Sequence, residues 1–120
     1  MKIEIRRKGD VTIFDVSGKI MGDESLELRR YINDWLMQVP EGKVNLILNM
    51  GKVTGIDSSG LGVLVASYTS VKRKGGRIVL LNLGRGLRNL VTLTRLNLVF
   101  DIYNDEEEAC LLYTSPSPRD

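Results

Sequence analysis

The segment Ile56-Asp57-Ser58-Ser59-Gly60-Leu61-Gly62-Val63-Leu64-Val65 commits the middle of the chain to one local path, an apolar strand entering a helix through a tight, hydroxyl-rich turn. Upstream, Val44-Asn45-Leu46-Ile47-Leu48-Asn49-Met50 reads as a buried strand. Gly51-Lys52-Val53-Thr54-Gly55 follows the strand and leads into the motif. Downstream, Leu61, Leu64, Val65, Tyr68 and Val71 recur at helical spacing and predict the buried stripe of a helix ending before Gly75-Gly76. A second apolar strand follows at 78–83.

The flanks obey the same alternation. Ile3-Glu4-Ile5 and Val11-Thr12-Ile13-Phe14-Asp15-Val16 alternate apolar and polar residues around Lys8-Gly9-Asp10, which predicts an N-terminal hairpin. From Asp23, the positions Leu28, Ile32, Trp35, Leu36 and Val39 mark an amphipathic helix stopping near Pro40-Glu41-Gly42, with Trp35 as a core anchor. A short helix over 86–93, a last strand over 99–103 and a C-terminal helix opened by Asp105-Glu106-Glu107-Glu108 complete the series. The expected class is α/β: a mixed, mostly parallel sheet of about five strands with an N-terminal hairpin, covered by about four helices.

In such sheets the loops at the C-terminal strand ends carry function, and the Ser58 turn lies at one of them. A serine there meets free backbone N–H groups and a positive partial charge. Asp57, Ser58 and Ser59 are each of a residue type that caps helices. Gly60 and Gly62 cost helix propensity in the first turn, which predicts a close approach by backbone, another element or a partner.

Several chemistries are excluded by residue type. There is no histidine and a single cysteine, Cys110, so neither a Ser-His-Asp triad nor an internal disulfide is available. Ile56 stands where a nucleophile elbow needs glycine, and no phosphate-binding loop pattern occurs. Asp15, Asp23, Asp57 and Asp101 have no metal-ligand spacing, so they read as solvated carboxylates and caps. The chain is therefore expected not to be an enzyme and to need no cofactor. With 17 basic and 15 acidic residues there is no global bias toward nucleic acid, and Lys72, Arg73, Lys74 and Arg77 read as a solvated helix end. No apolar run approaches the roughly 20 residues of a membrane span, and Met1-Lys2-Ile3-Glu4-Ile5 lacks a signal-peptide layout; no membrane insertion and cytoplasmic residence are the expectations. The segment 110–120 ends in alternating serine and proline and matches one reading frame of a widely used sequencing-adapter oligonucleotide. We read it as a non-native or disordered tail to a single domain over residues 1–109.

The order of elements, DSSGLG before an apolar helix, and KRKGGRIVLLNL after it together resemble a STAS domain of the anti-sigma factor antagonist family over roughly residues 3–109. The resemblance implies that the unmodified protein binds an anti-sigma factor that is also a serine kinase, releasing the sigma factor. Phosphorylation at Ser58 would abolish binding and a serine phosphatase would restore it. ATP would belong to the kinase. Asp57, Ser58, Ser59, Gly60 and Gly62 would form the partner surface, with Ser58 as acceptor in preference to Ser59. One departure concerns Gly18-Lys19-Ile20-Met21, where family members often carry Gly-Glu-Leu-Asp; Lys19, placed in a loop near Ser58, bears on partner choice. The alternative is a STAS subunit of a lipid-transport or stress-signalling complex without phosphoswitching.

Overall fold

The computed structural model describes the backbone of residues 1–114 and the side chains of residues 1–110. Five strands form one sheet in the order β1 (Lys2–Lys8), β2 (Val11–Ile20), β3 (Asn45–Ile56), β4 (Arg77–Leu81) and β5 (Asp101–Tyr103). β1 and β2 are the expected antiparallel hairpin, and every later pairing is parallel. The connections carry α1 (Asp23–Gln38), α2 (Ser58–Arg73) and α3 (Arg85–Leu93), the last followed by a 3-10 turn at Leu96–Leu98. α4 (Glu106–Thr114) follows β5.

Alternation along the strands divides the core into two layers. Phe14, Val16, Leu46, Leu48, Ile78 and Leu80 point to α1, α2 and α3 and build the larger cluster with Leu28, Ile32, Leu64 and Val91. Their neighbours Ile13, Ile47, Val79 and Leu81 point the other way, where Ala109 of α4 covers them. Trp35 anchors α1: it meets Phe14 edge-on at 6.2 Å and its indole N–H donates to the buried Thr12 hydroxyl at 3.1 Å.

Two strand ends and one helix face differ from expectation for identifiable reasons. β3, expected to end at Met50, runs six residues further to Ile56, because residues 51–55 stay paired with β2. It does so through two bulges: Asn49 to Lys52 opposes Asp15 to Ser17, and Val53 to Gly55 opposes Gly18 to Lys19. β4 pairs with β3 over Asn45–Asn49 and ends at Leu81, as Asn82 turns to positive φ (59°). The inward stripe of α2 is Gly60, Val63, Leu64, Ser67 and Val71, whereas Val65, expected inside, is 43% exposed. Serine and glycine disguise that stripe in sequence. The buried Ser67 hydroxyl is satisfied by the Val63 carbonyl at 2.7 Å. The predicted tail begins inside α4, where Cys110 packs against the smaller cluster; residues 115–120 lie outside the described residues.

Candidate functional site: the β3–α2 turn

The bulged end of β3 delivers Asp57 to the N-cap of α2 in an extended conformation, beside the loop joining β2 to α1. The Asp57 carboxylate ties three segments. Its Oδ1 accepts from the Gly60 N–H at 2.9 Å and the Ser59 hydroxyl at 2.5 Å, and its Oδ2 accepts from the Gly22 N–H at 3.1 Å. The Asp57 N–H donates in turn to the Ile20 carbonyl at 3.4 Å. The Ser59 hydroxyl is the main reason the Asp57 pKa falls below the ordinary carboxylate range, followed by the Gly60 N–H. Asp57 therefore stays an anion and a cap.

The two serines separate clearly. Ser59 Oγ donates to Asp57, accepts from the Gly22 N–H at 3.1 Å and lies 3.1 Å from Ser25 Oγ, whose proton is directed to the Gly22 carbonyl at 2.5 Å. Ser58, the first residue of α2, is exposed, and its hydroxyl makes no hydrogen bond among the described residues. One serine builds the turn, and the other is presented by it.

The two glycines separate as well. A Cβ on Gly60 would lie 2.4 Å from the Ile20 carbonyl oxygen and 2.5 Å from Ile56 Cγ1, so the helix start can seat against β2 only with hydrogen at that position. Gly62 has nothing within 4 Å of such a Cβ and faces solvent one turn above Ser58. The close approach expected at both glycines is intramolecular at Gly60 and absent among the described residues at Gly62. Asp57, Ser59 and Gly60 thus form the foundation, and Ser58 and Gly62 the outward surface.

Sequence reasoning missed Gly22 and Ser25. Gly22 adopts φ 54° and ψ −126°, a region that a side chain disfavours, and this geometry turns its N–H toward Asp57 and Ser59. Ser25 is fully buried. The available signal was a glycine ahead of an acidic, serine-containing helix start, Gly22-Asp23-Glu24-Ser25. Lys19, expected in a loop, belongs to β2 opposite Gly55 and points to solvent, because the strand persists through the second bulge. The other carboxylates considered for a metal are dispersed: Asp15 is bonded to Arg6 and Asn49, and Asp101 opens β5.

A mixed, mostly parallel sheet flanked by helices, with the Ser58 hydroxyl presented at a helix start, defines a domain of the α/β class. The chain belongs to the STAS domain family, whose model matches residues 2–109. Its relatives include anti-sigma factor antagonists. It is 31% identical over 88 residues to the anti-sigma-B factor antagonist of Bacillus subtilis (strain 168), covering 73% of this chain and 81% of that protein. The fold is shared with the anti-sigma factor antagonist SpoIIAA in its unphosphorylated form, at TM-score 0.71 and 19% identity over 96% of this chain and all of that one. It is equally shared with the Bacillus cell fate determinant SpoIIAA in the phosphorylated form, at TM-score 0.70 and 20% identity over 91% and 96% of the two chains.

Proposed function

We propose that this protein is an anti-sigma factor antagonist whose unmodified Ser58 surface binds an anti-sigma factor serine kinase and thereby releases a sigma factor. The observation that carries the reading is the exposed Ser58 hydroxyl, unbonded among the described residues, beside Asp57 and Ser59 whose side chains are both engaged. In the modification step the Ser58 oxygen forms a bond to the γ-phosphorus of ATP held by the kinase. The bond from that phosphorus to the bridging oxygen breaks, ADP leaves, and the kinase takes the hydroxyl proton.

The product adds about −1.5 to −2 charge at the start of α2. The helix dipole and free N–H groups offset part of that charge, so the isolated domain keeps its fold. A partner packed over Ser58 and Gly62 faces an unmatched dianion next to the Asp57 carboxylate, which disfavours the complex by several kcal/mol, roughly 2–5. A serine phosphatase that hydrolyses the phosphoester restores the binding surface.

The test is affinity capture from source-organism lysate with the unmodified protein, a Ser58→Glu variant and authentic phosphoserine protein, followed by mass spectrometry. A kinase held by the unmodified form and lost from both charged forms is the expected result. A transporter ATPase or a stress-signalling complex held equally by all three would replace the switch with a constitutive subunit role.

A further inference from the structure

Between Asp57 and Asp101 the chain has no acidic residue and seven lysines and arginines. The fold sends most of them to the end of the molecule opposite Ser58. Lys72 and Arg73 close α2, with Lys74 as its cap, and Arg77 opens β4. Arg95, at φ 62°, turns the chain from α3 into the 3-10 turn before β5, and β5 runs parallel to β4, so Arg95 lies at the same N-terminal strand ends. A stack joins the two groups: Lys72 Nζ sits 5.6 Å over the Tyr68 ring, which meets the Phe100 ring edge-on at 5.4 Å. The sixteen residues of α2 place Ser58 about 22 Å away.

Around Arg95 three apolar side chains project into solvent, Leu93 at 79% exposure, Leu98 at 76% and Val99 at 43%. Their neighbours Leu96 and Phe100 take the inward positions of the turn. Among the described residues the acidic groups toward this end include the exposed Asp101, Glu41 and Asp34, the last near the end of α1, and Asp10, which is paired with Lys43 at 3.7 Å. Lys74 is engaged with the Leu36 carbonyl at 2.6 Å, and Lys72, Arg73 and Arg95 are exposed cations of this end.

We propose that this end docks peripherally on an anionic lipid surface. Leu93, Leu98 and Val99 enter the boundary between headgroups and acyl chains, and Lys72, Arg73 and Arg95 meet lipid phosphates. Leucines that project singly from a turn suit a fluid boundary that needs no matching shape, whereas a protein partner would have to supply pockets for them. No helix among the described residues is long and apolar enough to cross a membrane, so the association is at the surface. It leaves Ser58 facing away from the bilayer, and it is independent of whether Ser58 is phosphorylated.

Co-sedimentation of the full chain with vesicles tests this, using phosphatidylcholine containing about 30% phosphatidylglycerol against pure phosphatidylcholine, in about 0.1 M salt. The expected result is pelleting with the mixed vesicles alone, an apparent affinity reduced about tenfold or more by Leu98→Asp and by Arg95→Glu, and none by Ser58→Ala. Leu98 is exposed, so Leu98→Asp is expected to melt like the parent, and Leu93→Asp supplies a second variant. Absence of pelleting with the mixed vesicles, or pelleting unchanged by Leu98→Asp, overturns the proposal. It is overturned equally if vesicles are ignored while Leu98→Asp removes an acidic protein from lysate capture, which assigns the surface to a protein partner.

Discussion

The turn before α2 and the contact between α4 and the β-hairpin are both polar junctions, but they are held by different forces. At the turn, one carboxylate caps a helix through backbone N–H groups, and the geometry is enforced by contact between Gly60 and Ile20. On the rear of the sheet, Arg6 donates to Asp15 (2.5 and 2.9 Å) and to Glu106 of α4 (2.6 and 3.2 Å), and Lys8 also pairs with Glu106. The clasp is continued by Asn49, which donates to Asp15 at 2.8 Å and accepts from Asn82 at 3.2 Å. Steric fit makes the turn a fixed pedestal that presents the Ser58 hydroxyl outward. Charge makes the clasp an adjustable fastening, sensitive to acid, that positions α4.

The difference is broken most forcefully at Gly60. Gly60→Ala places a methyl group against the Ile20 carbonyl, which is backbone and cannot swing aside, so α2 must lift from β2. The expected loss is about 3 kcal/mol, at the upper end for overpacking, read as a lower urea midpoint. A melting curve superimposable on the parent would show that the turn is as adjustable as the clasp.

At the clasp the expected effects are smaller and depend on pH. Arg6 and Lys8 hold the Glu106 carboxyl down to about 2, from an ordinary value of 4.5, and Arg6 similarly lowers Asp15. A depressed carboxylate contributes stability that is present above its unfolded value and is lost as pH falls from about 4.5 through about 2. The Arg6 side chain is 41% exposed and Glu106 25%, so solvent screening reduces the contribution to about 1 kcal/mol. Glu106→Gln should therefore unfold earlier in urea at pH 7 by that amount and converge on the parent near pH 2. A gap that persisted at pH 2 would mean that Glu106 holds α4 by packing.

These two junctions were unequally legible in sequence. Asp57, Ser58, Ser59 and Gly60 are contiguous, and an N-cap beside an apolar helix is a local signal. The clasp joins residues 6, 15, 49, 82 and 106, whose proximity exists only once sheet order and register are set. Helix phase in α2 was misread for a related reason: Val65 advertises hydrophobicity, but the inward face is chosen by close packing at Gly60 and by Ser67, whose hydroxyl is satisfied within the helix. The end of β3 is hidden because the apolar run stops at Met50, whereas glycines at 51 and 55 are tolerated in a bulged strand without breaking the pairing to β2.

The finest comparison lies within α2, between groups that support the turn and groups that face outward. Gly62→Ala fills open space on a helix and should stabilise the domain by about 0.5–1 kcal/mol, the reverse in sign of Gly60→Ala. If Gly62 lies beneath a partner, the same variant binds the captured kinase less tightly while melting higher, a combination that a purely structural glycine cannot produce. Ser58→Ala should change stability least, by less than about 0.5 kcal/mol, because the hydroxyl it removes has no partner among the described residues. It should nevertheless abolish phosphate incorporation by that kinase, read by intact mass. Ser59→Ala should lower stability by about 1 kcal/mol through lost hydrogen bonds to Asp57 and Gly22 and leave Ser58 a substrate. Should Ser59→Ala block incorporation and Ser58→Ala permit it, the division of labour between the two serines would be reversed.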